Sequence, residues 1–170
     1  MNIRLATKDD IPQMMPLFEA ASRGLREMGV NQWQNGYPQP ELIANDIASG
    51  VSYLLEDNGE IIGTAVISFA GEPTYNYIEG KWLTNEEKFV VIHRQTIRPD
   101  RRGQRLSDLF FGYAEQLCRE RGVRSMRIDT HEGNLPMQRA VERYGFVRCG
   151  VIYLDNGDPR LAYDWLDTTK

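Results

Sequence analysis

The chain has 170 residues, enough to bury a sizeable core and short for two domains, so one domain spanning residues 1–170 is expected. Its composition, 41% hydrophobic and 26% charged with a formal net charge of -4, is that of a globular protein and argues against general nucleic-acid binding, which needs a basic surface. The beginning, MNIRLATKDD, carries no apolar signal region, and no apolar run approaches the ~20 residues of a membrane span. With its two cysteines, Cys118 and Cys149, read as reduced structural thiols, the protein is expected in the cytoplasm, away from membranes and nucleic acid and without a bound metal.

Residues 2–6 read as a strand, and Thr7 as the N-cap of a helix with Asp9 and Asp10 in its first turn. Ile11, Met14, Met15, Leu17, Phe18, Ala21 and Leu25 supply the apolar face, with Pro16 expected to bend or delay the helix. The Gly, Asn and Pro content of GVNQWQNGYPQP, residues 29–40, predicts a loop. Its Trp33 and Tyr37 either plug a gap between helices or line a substrate pocket. A short helix follows over residues 40–49.

Residues 51–70 are two apolar runs joined through Asp57-Asn58-Gly59, the pattern of an antiparallel hairpin. Beyond an irregular stretch holding Tyr75, Tyr77 and Trp82, residues 88–97 (KFVVIHRQTI) make a buried strand. Strict alternation along it puts His93 on one face with Val91, Gln95 and Ile97. A long helix ends at Arg121-Gly122 and leads to a strand over 123–130, which makes a βαβ unit with parallel neighbours. Asn134 caps a short helix that Gly145 closes, and strands 146–154 and 160–166 are joined through Asp155-Asn156-Gly157. The fold class is therefore α/β, built on one mixed sheet.

Between Arg94 and Arg105 lie five arginines and one acid, an intensely positive stretch inside an acidic chain. In RPDRRGQRLSDLFF, residues 98–111, Arg102 and Gly103 fall where a strand gives way to a helix whose first N–H groups have no intrahelical partner. Such a terminus with added arginines suits a phosphate or pyrophosphate group; the alternative is a solvated basic turn.

TIRPDRRGQRLSDLFFGYAEQL resembles the acetyl-CoA-binding segment of the GNAT superfamily of N-acyltransferases, in which Arg/Gln-x-x-Gly-x-Gly/Ala follows a strand and a proline. Pro99, Arg102 and the helical pattern fit it. NLPMQRAVERYGF is similar to the family's later segment, with Asn134 opening a short helix closed by Gly145-Phe146. The resemblance extends through the order of elements from residue 2 to about 166. It implies a mixed, mostly antiparallel sheet flanked by about four helices, with a parallel βαβ unit around the phosphate loop.

The resemblance further implies transfer of an acetyl group from acetyl-CoA to a primary amine of a small molecule or peptide, by direct attack on the thioester. Thr96, Ile97, Arg102, Gly103, Gln104, Arg105, Leu106, Ser107 and Asn134 would hold acetyl-CoA, a backbone N–H near Ile97 would polarise the carbonyl, and Trp33, Tyr37, Tyr75 and Trp82 would either face the acceptor or belong to the core. Assembly of two copies is left open. The sequence departs from the family at four places. Arg105 and Ser107 replace the motif's glycine and Gly/Ala. Val91 stands where relatives often carry a glutamate base, and Val141 where many carry a tyrosine that protonates the leaving thiolate. His93, either a base or a structural histidine, and Tyr153, either a proton donor or a packing residue, are the candidates to replace these catalytic groups. The two valines also support a rival reading, a non-catalytic acyl-CoA-binding or sensor module.

Overall fold

In the computed structural model, which describes residues 1–169, the chain runs β1 (Asn2–Leu5), α1 (Ile11–Glu27), α2 (Pro40–Ala48), β2 (Ser52–Asp57), β3 (Glu60–Ser68), β4 (Glu79–Gly80), β5 (Val90–Ile97), α3 (Ser107–Arg121), β6 (Ser125–Thr130), α4 (Leu135–Tyr144), β7 (Val147–Tyr153) and β8 (Pro159–Leu166). The hydrogen-bonded strand order is β1-β2-β3-β5-β6-β8-β7-β4. β5 and β6 pair parallel, and β1–β2, β2–β3, β6–β8, β7–β8 and β4–β7 pair antiparallel. The α/β class, the mixed and mostly antiparallel sheet and the parallel βαβ unit are thus as the sequence suggests. The two-residue β4 is an addition. Among the described residues, no helix is long and apolar enough to cross a membrane.

The chain divides into two compact units: Met1–Ile67 with His93–Phe110, and Ser68–Ile92 with the residues from Phe111 onward. In the first, Asn58 and Gly59 take φ of 51° and 81°, the left-handed pair that a two-residue hairpin turn requires between β2 and β3. Met14, Leu17 and Phe18 of α1 are buried with Ala6, Ile43, Leu54 and Ile61, and Trp33 packs against this cluster. Asp10 ends a short 3₁₀ turn before α1, and its carboxylate accepts the Thr7 N–H at 2.7 Å and two guanidinium bonds from Arg4 at 2.8 and 2.9 Å. Pro16 does not delay α1, which runs from Ile11 to Glu27 with the proline inside it. The proline lies on the exposed side, so the lost backbone bond faces solvent while the buried stripe holds the helix together.

Inside β5, Arg94 has φ of 48°. A left-handed residue interrupts the extended backbone, so the single face expected for Val91, His93, Gln95 and Ile97 does not run through it. The guanidinium of Arg94 makes a two-pronged bond to the Asp46 carboxylate of α2 at 2.9 and 2.8 Å and donates to the Tyr37 hydroxyl at 3.0 Å.

In the second unit, Tyr75, Val91, Ile152 and Ala162 form a buried cluster with Trp82 and Phe89 packed on it. Arg127, only 4% exposed, lies between the rings of Trp82 and Phe89, 4.3 and 4.2 Å from their centroids. Its partner Asp164, at 3.4 Å, also accepts from the Ser125 hydroxyl at 2.6 Å and the Leu83 N–H at 3.1 Å. Burial nonetheless raises the Asp164 carboxyl above its ordinary pKa. β4 and β7 approach so closely that a Cβ on Gly80 would lie 2.1 Å from the Cys149 carbonyl oxygen, and one on Gly150 2.0 Å from that of Glu79. Only glycine fits at either place.

Candidate active site

The segment after β5 turns through a short 3₁₀ stretch, Pro99–Arg101, and reaches α3 at Ser107. Its start is fixed from the β3 side. A Cβ on Gly63 would sit 2.9 Å from Ile97 Cδ1 and 3.2 Å from the Thr96 carbonyl oxygen, so the missing side chain lets the end of β5 lie close against β3. Its far end is held by Leu106 and Phe110, both buried. Between these anchors Arg102, Gly103, Gln104 and Arg105 are exposed.

Two backbone conformations in the loop belong to the left-handed region: Gly103 at φ 81° and Arg105 at φ 57°. Arg105 occupies the position where the resembled motif has glycine, and its backbone adopts the conformation a glycine would take. The N–H groups of Gly103, Gln104, Arg105 and Leu106 donate to no backbone acceptor among the described residues, whereas helical bonding begins with Asp108 N–H to Arg105 C=O at 3.1 Å.

The five arginines divide sharply. Arg94 is held by Asp46, Arg98 by Asp100 at 2.6 Å and Glu60 at 3.4 Å, and Arg101 by Asp57 at 2.9 Å. The guanidiniums of Arg102 and Arg105 form no hydrogen bond or ion pair among the described residues. The Arg102 guanidinium lies beside α1, 3.6 Å from where a Cβ on Gly24 would be. Three cations are therefore neutralised within the fold, and two are left beside a run of unoccupied donors at a helix start. This arrangement suits a polyanionic group.

Thr96 and Ile97, at the end of β5, belong to the same unit, as does His93, which is half-buried one residue before the interruption at Arg94. Gln95 is 6% exposed, and neither atom of its carboxamide has a partner among the described residues. Trp33 packs edge-on to Phe18 with ring centroids 5.9 Å apart, while Tyr37 is 39% exposed and accepts the Arg94 bond.

Four predicted residues lie in the other unit. Asn134 caps α4, accepting the Met137 N–H at 3.3 Å. Tyr75 is buried and donates its hydroxyl to Asp129 at 2.6 Å; burial and that carboxylate push the phenol well up. Trp82 donates its indole N–H to the Tyr75 carbonyl at 3.1 Å. Tyr153 is hydrogen-bonded to Glu79, which raises its phenol. Val91 and Val141 have no exposed surface. Sequence reasoning passed over Gly63, although a glycine inside an apolar strand signals close backbone approach. It also gave Tyr77 no role, and no periodic pattern marks that residue.

A model of the acetyltransferase (GNAT) family matches residues 17–146. A Bacillus subtilis (strain 168) protein described as a "putative" ribosomal protein bS18 alanine N-acetyltransferase is 29% identical over 85 residues, which are 48% of this chain and 55% of that protein. The chain thus spans about half the length of this curated relative. A GNAT-family acetyltransferase structure from Streptococcus agalactiae 2603 is 32% identical, with a TM-score of 0.88 over 99% of this chain and 96% of that one. The PaiA N-acetyltransferase of Thermoplasma acidophilum, in complex with coenzyme A, shares the fold at 13% identity, with a TM-score of 0.74 over 98% of each chain.

Proposed function

Because the chain belongs to the acetyltransferase (GNAT) family, we propose that it moves an acetyl group from acetyl-CoA to a primary amine by direct attack on the thioester. The observation that carries this reading is the loop with two unpaired guanidiniums, Arg102 and Arg105, beside free N–H donors at the start of α3. Acetyl-CoA is the co-substrate, and its phosphates match that donor set.

The residues divide the work. Arg102 and Arg105 bond the phosphates with the loop N–H groups from Gly103 to Ser107, and Asn134 contacts the co-substrate from α4. A backbone N–H at Thr96 or Ile97 polarises the thioester carbonyl. His93 accepts a proton from the acceptor's ammonium, directly or through water, and so frees the nitrogen lone pair. That pair attacks the carbonyl carbon, the C–S bond breaks with its electrons leaving on sulfur, and the nitrogen, cationic after the attack, gives its second proton to water as the amide forms. The phenol of Tyr153, kept protonated by Glu79, is the proton donor to the thiolate. Trp33, Tyr37, Tyr75 and Trp82 are assigned to the acceptor side. The acceptor is a small amine or a peptide, and the alanine named for the Bacillus relative makes a peptide α-amine the first to try.

Calorimetric titration with acetyl-CoA, beside acetylated pantetheine without phosphates, tests the reading. Phosphate-dependent binding is expected, weakened by about 1.5–3 kcal/mol in Arg102→Ala. Affinity unchanged in the folded variant would remove Arg102 from the site, and absence of binding at millimolar ligand would end the enzymatic reading. A second reading, a non-catalytic acyl-CoA sensor, is favoured by the complete burial of Val91 and Val141 where relatives often present catalytic groups. Free thiol released in the presence of amines decides against it.

A further inference from the structure

The second unit carries a cleft of about 380 Å³ lined by Pro73, Thr74, Asn76, Tyr77, Tyr153 and Asp155. Two aromatic faces dominate it. Tyr77 is 63% exposed, and its ring centroid lies 6.5 Å from that of the partly exposed Tyr153, the planes inclined at 32°. A tyrosine this exposed gains little from packing, so its contribution to the core does not account for its place.

The one charged residue lining the cleft, Asp155, is acidic. Asp155 is exposed and forms no hydrogen bond or ion pair among the described residues. Glu79 stands at the phenol end of Tyr153. No lysine, arginine or histidine is among the lining residues. Aromatic faces attract cations through their quadrupoles, and the carboxylates add direct attraction while Pro73 offers apolar contact to attached carbon. The volume falls in the range of small-ligand sites.

We infer that the cleft between Tyr77 and Tyr153 binds an organic ammonium group belonging to the acceptor. The inference rests on the amine-acceptor reading above and deepens it. An acceptor with a cationic nitrogen held on carbon, whether its own amine or a second one, is recognised there. A neutral molecule of the same shape finds the apolar contacts without the charge.

The test follows the tyrosine ring protons by NMR in the full chain during titration with tetramethylammonium chloride. Sodium chloride controls for ionic strength, and tert-butyl alcohol serves as the neutral counterpart. Saturable shifts at both Tyr77 and Tyr153 are expected with the cation alone, with affinity about two- to fivefold weaker in Tyr77→Ala. Asp155→Asn should also weaken the cation, and Tyr77→Ala should raise the amine KM while acetyl-CoA affinity stays unchanged. An equal response to the neutral alcohol, or shifts that grow linearly without saturating, would overturn the inference. Thiol release with intact acetyl-CoA binding but no cation effect at Tyr77 would sink the cleft alone. Saturable cation binding in a protein that releases thiol with no amine would sink the transferase reading and leave the cation site standing.

Discussion

Arg105 holds a conformation that its side chain disfavours. A left-handed φ of 57° costs an L-residue about 1–2 kcal/mol, and a glycine there would not bear that cost. Arg105→Gly is therefore expected to raise stability in urea by about 1 kcal/mol and, having lost a free cation, to bind acetyl-CoA more weakly. A variant no more stable than the parent would show that the loop carries no strain. At this scale the sequence revealed the basic loop and its position before a helix. It could not show which arginines are free, because Asp46, Asp57 and Glu60 neutralise their partners from about 40 to 50 residues earlier in the chain. A separation of 54 residues likewise concealed Asp129, later in the chain, as the partner of Tyr75.

Between elements, the bond from Arg94 to Asp46 ties β5 to α2 with both side chains largely buried, at 13% and 11% exposure. Removing one partner leaves a buried charge without compensation, so Asp46→Ala should cost about 3–5 kcal/mol in a denaturant titration. A loss below about 1 kcal/mol would mean that water or Tyr37 replaces the carboxylate. Elements whose ends rest on local chemistry were readable beforehand. The Asn58-Gly59 turn and the Asn134 and Gly145 boundaries of α4 each follow from a few adjacent residues. Three features were not readable for tertiary reasons. α1 survives Pro16 because its other face is buried. β4 exists through the glycine contact with β7, and the interruption at Arg94 is supported by a partner on α2, Asp46.

Across the molecule, 24 aspartates and glutamates against two histidines make the carboxylates the main acid-sensitive groups. Arg4 and the Thr7 groups draw the Asp10 pKa down from 3.8 to about 2. A depressed carboxyl contributes stability that is complete above its unfolded value and is lost as pH falls through the folded one. The stability that Asp10 contributes is therefore lost between about pH 4 and pH 2, whereas the raised Asp164 acts in the opposite direction and above the ordinary carboxylate value. Urea midpoints measured over that window should fall less steeply in Asp10→Asn than in the parent, and parallel slopes would exclude this pair as a source of acid sensitivity.

The thiol of Cys118, on α3, has no exposed surface, and burial pushes its pKa up to about 12. Almost none of it is thiolate at neutral pH, so reagents and oxidants that attack thiolates pass it by while the protein is folded. Cys149 is only partly covered, and it is the other free thiol. Modification of a folded sample thus proceeds in two stages, and the second records how often the chain opens far enough to expose the middle of α3. The native protein contains its own clock for unfolding, requiring no introduced label.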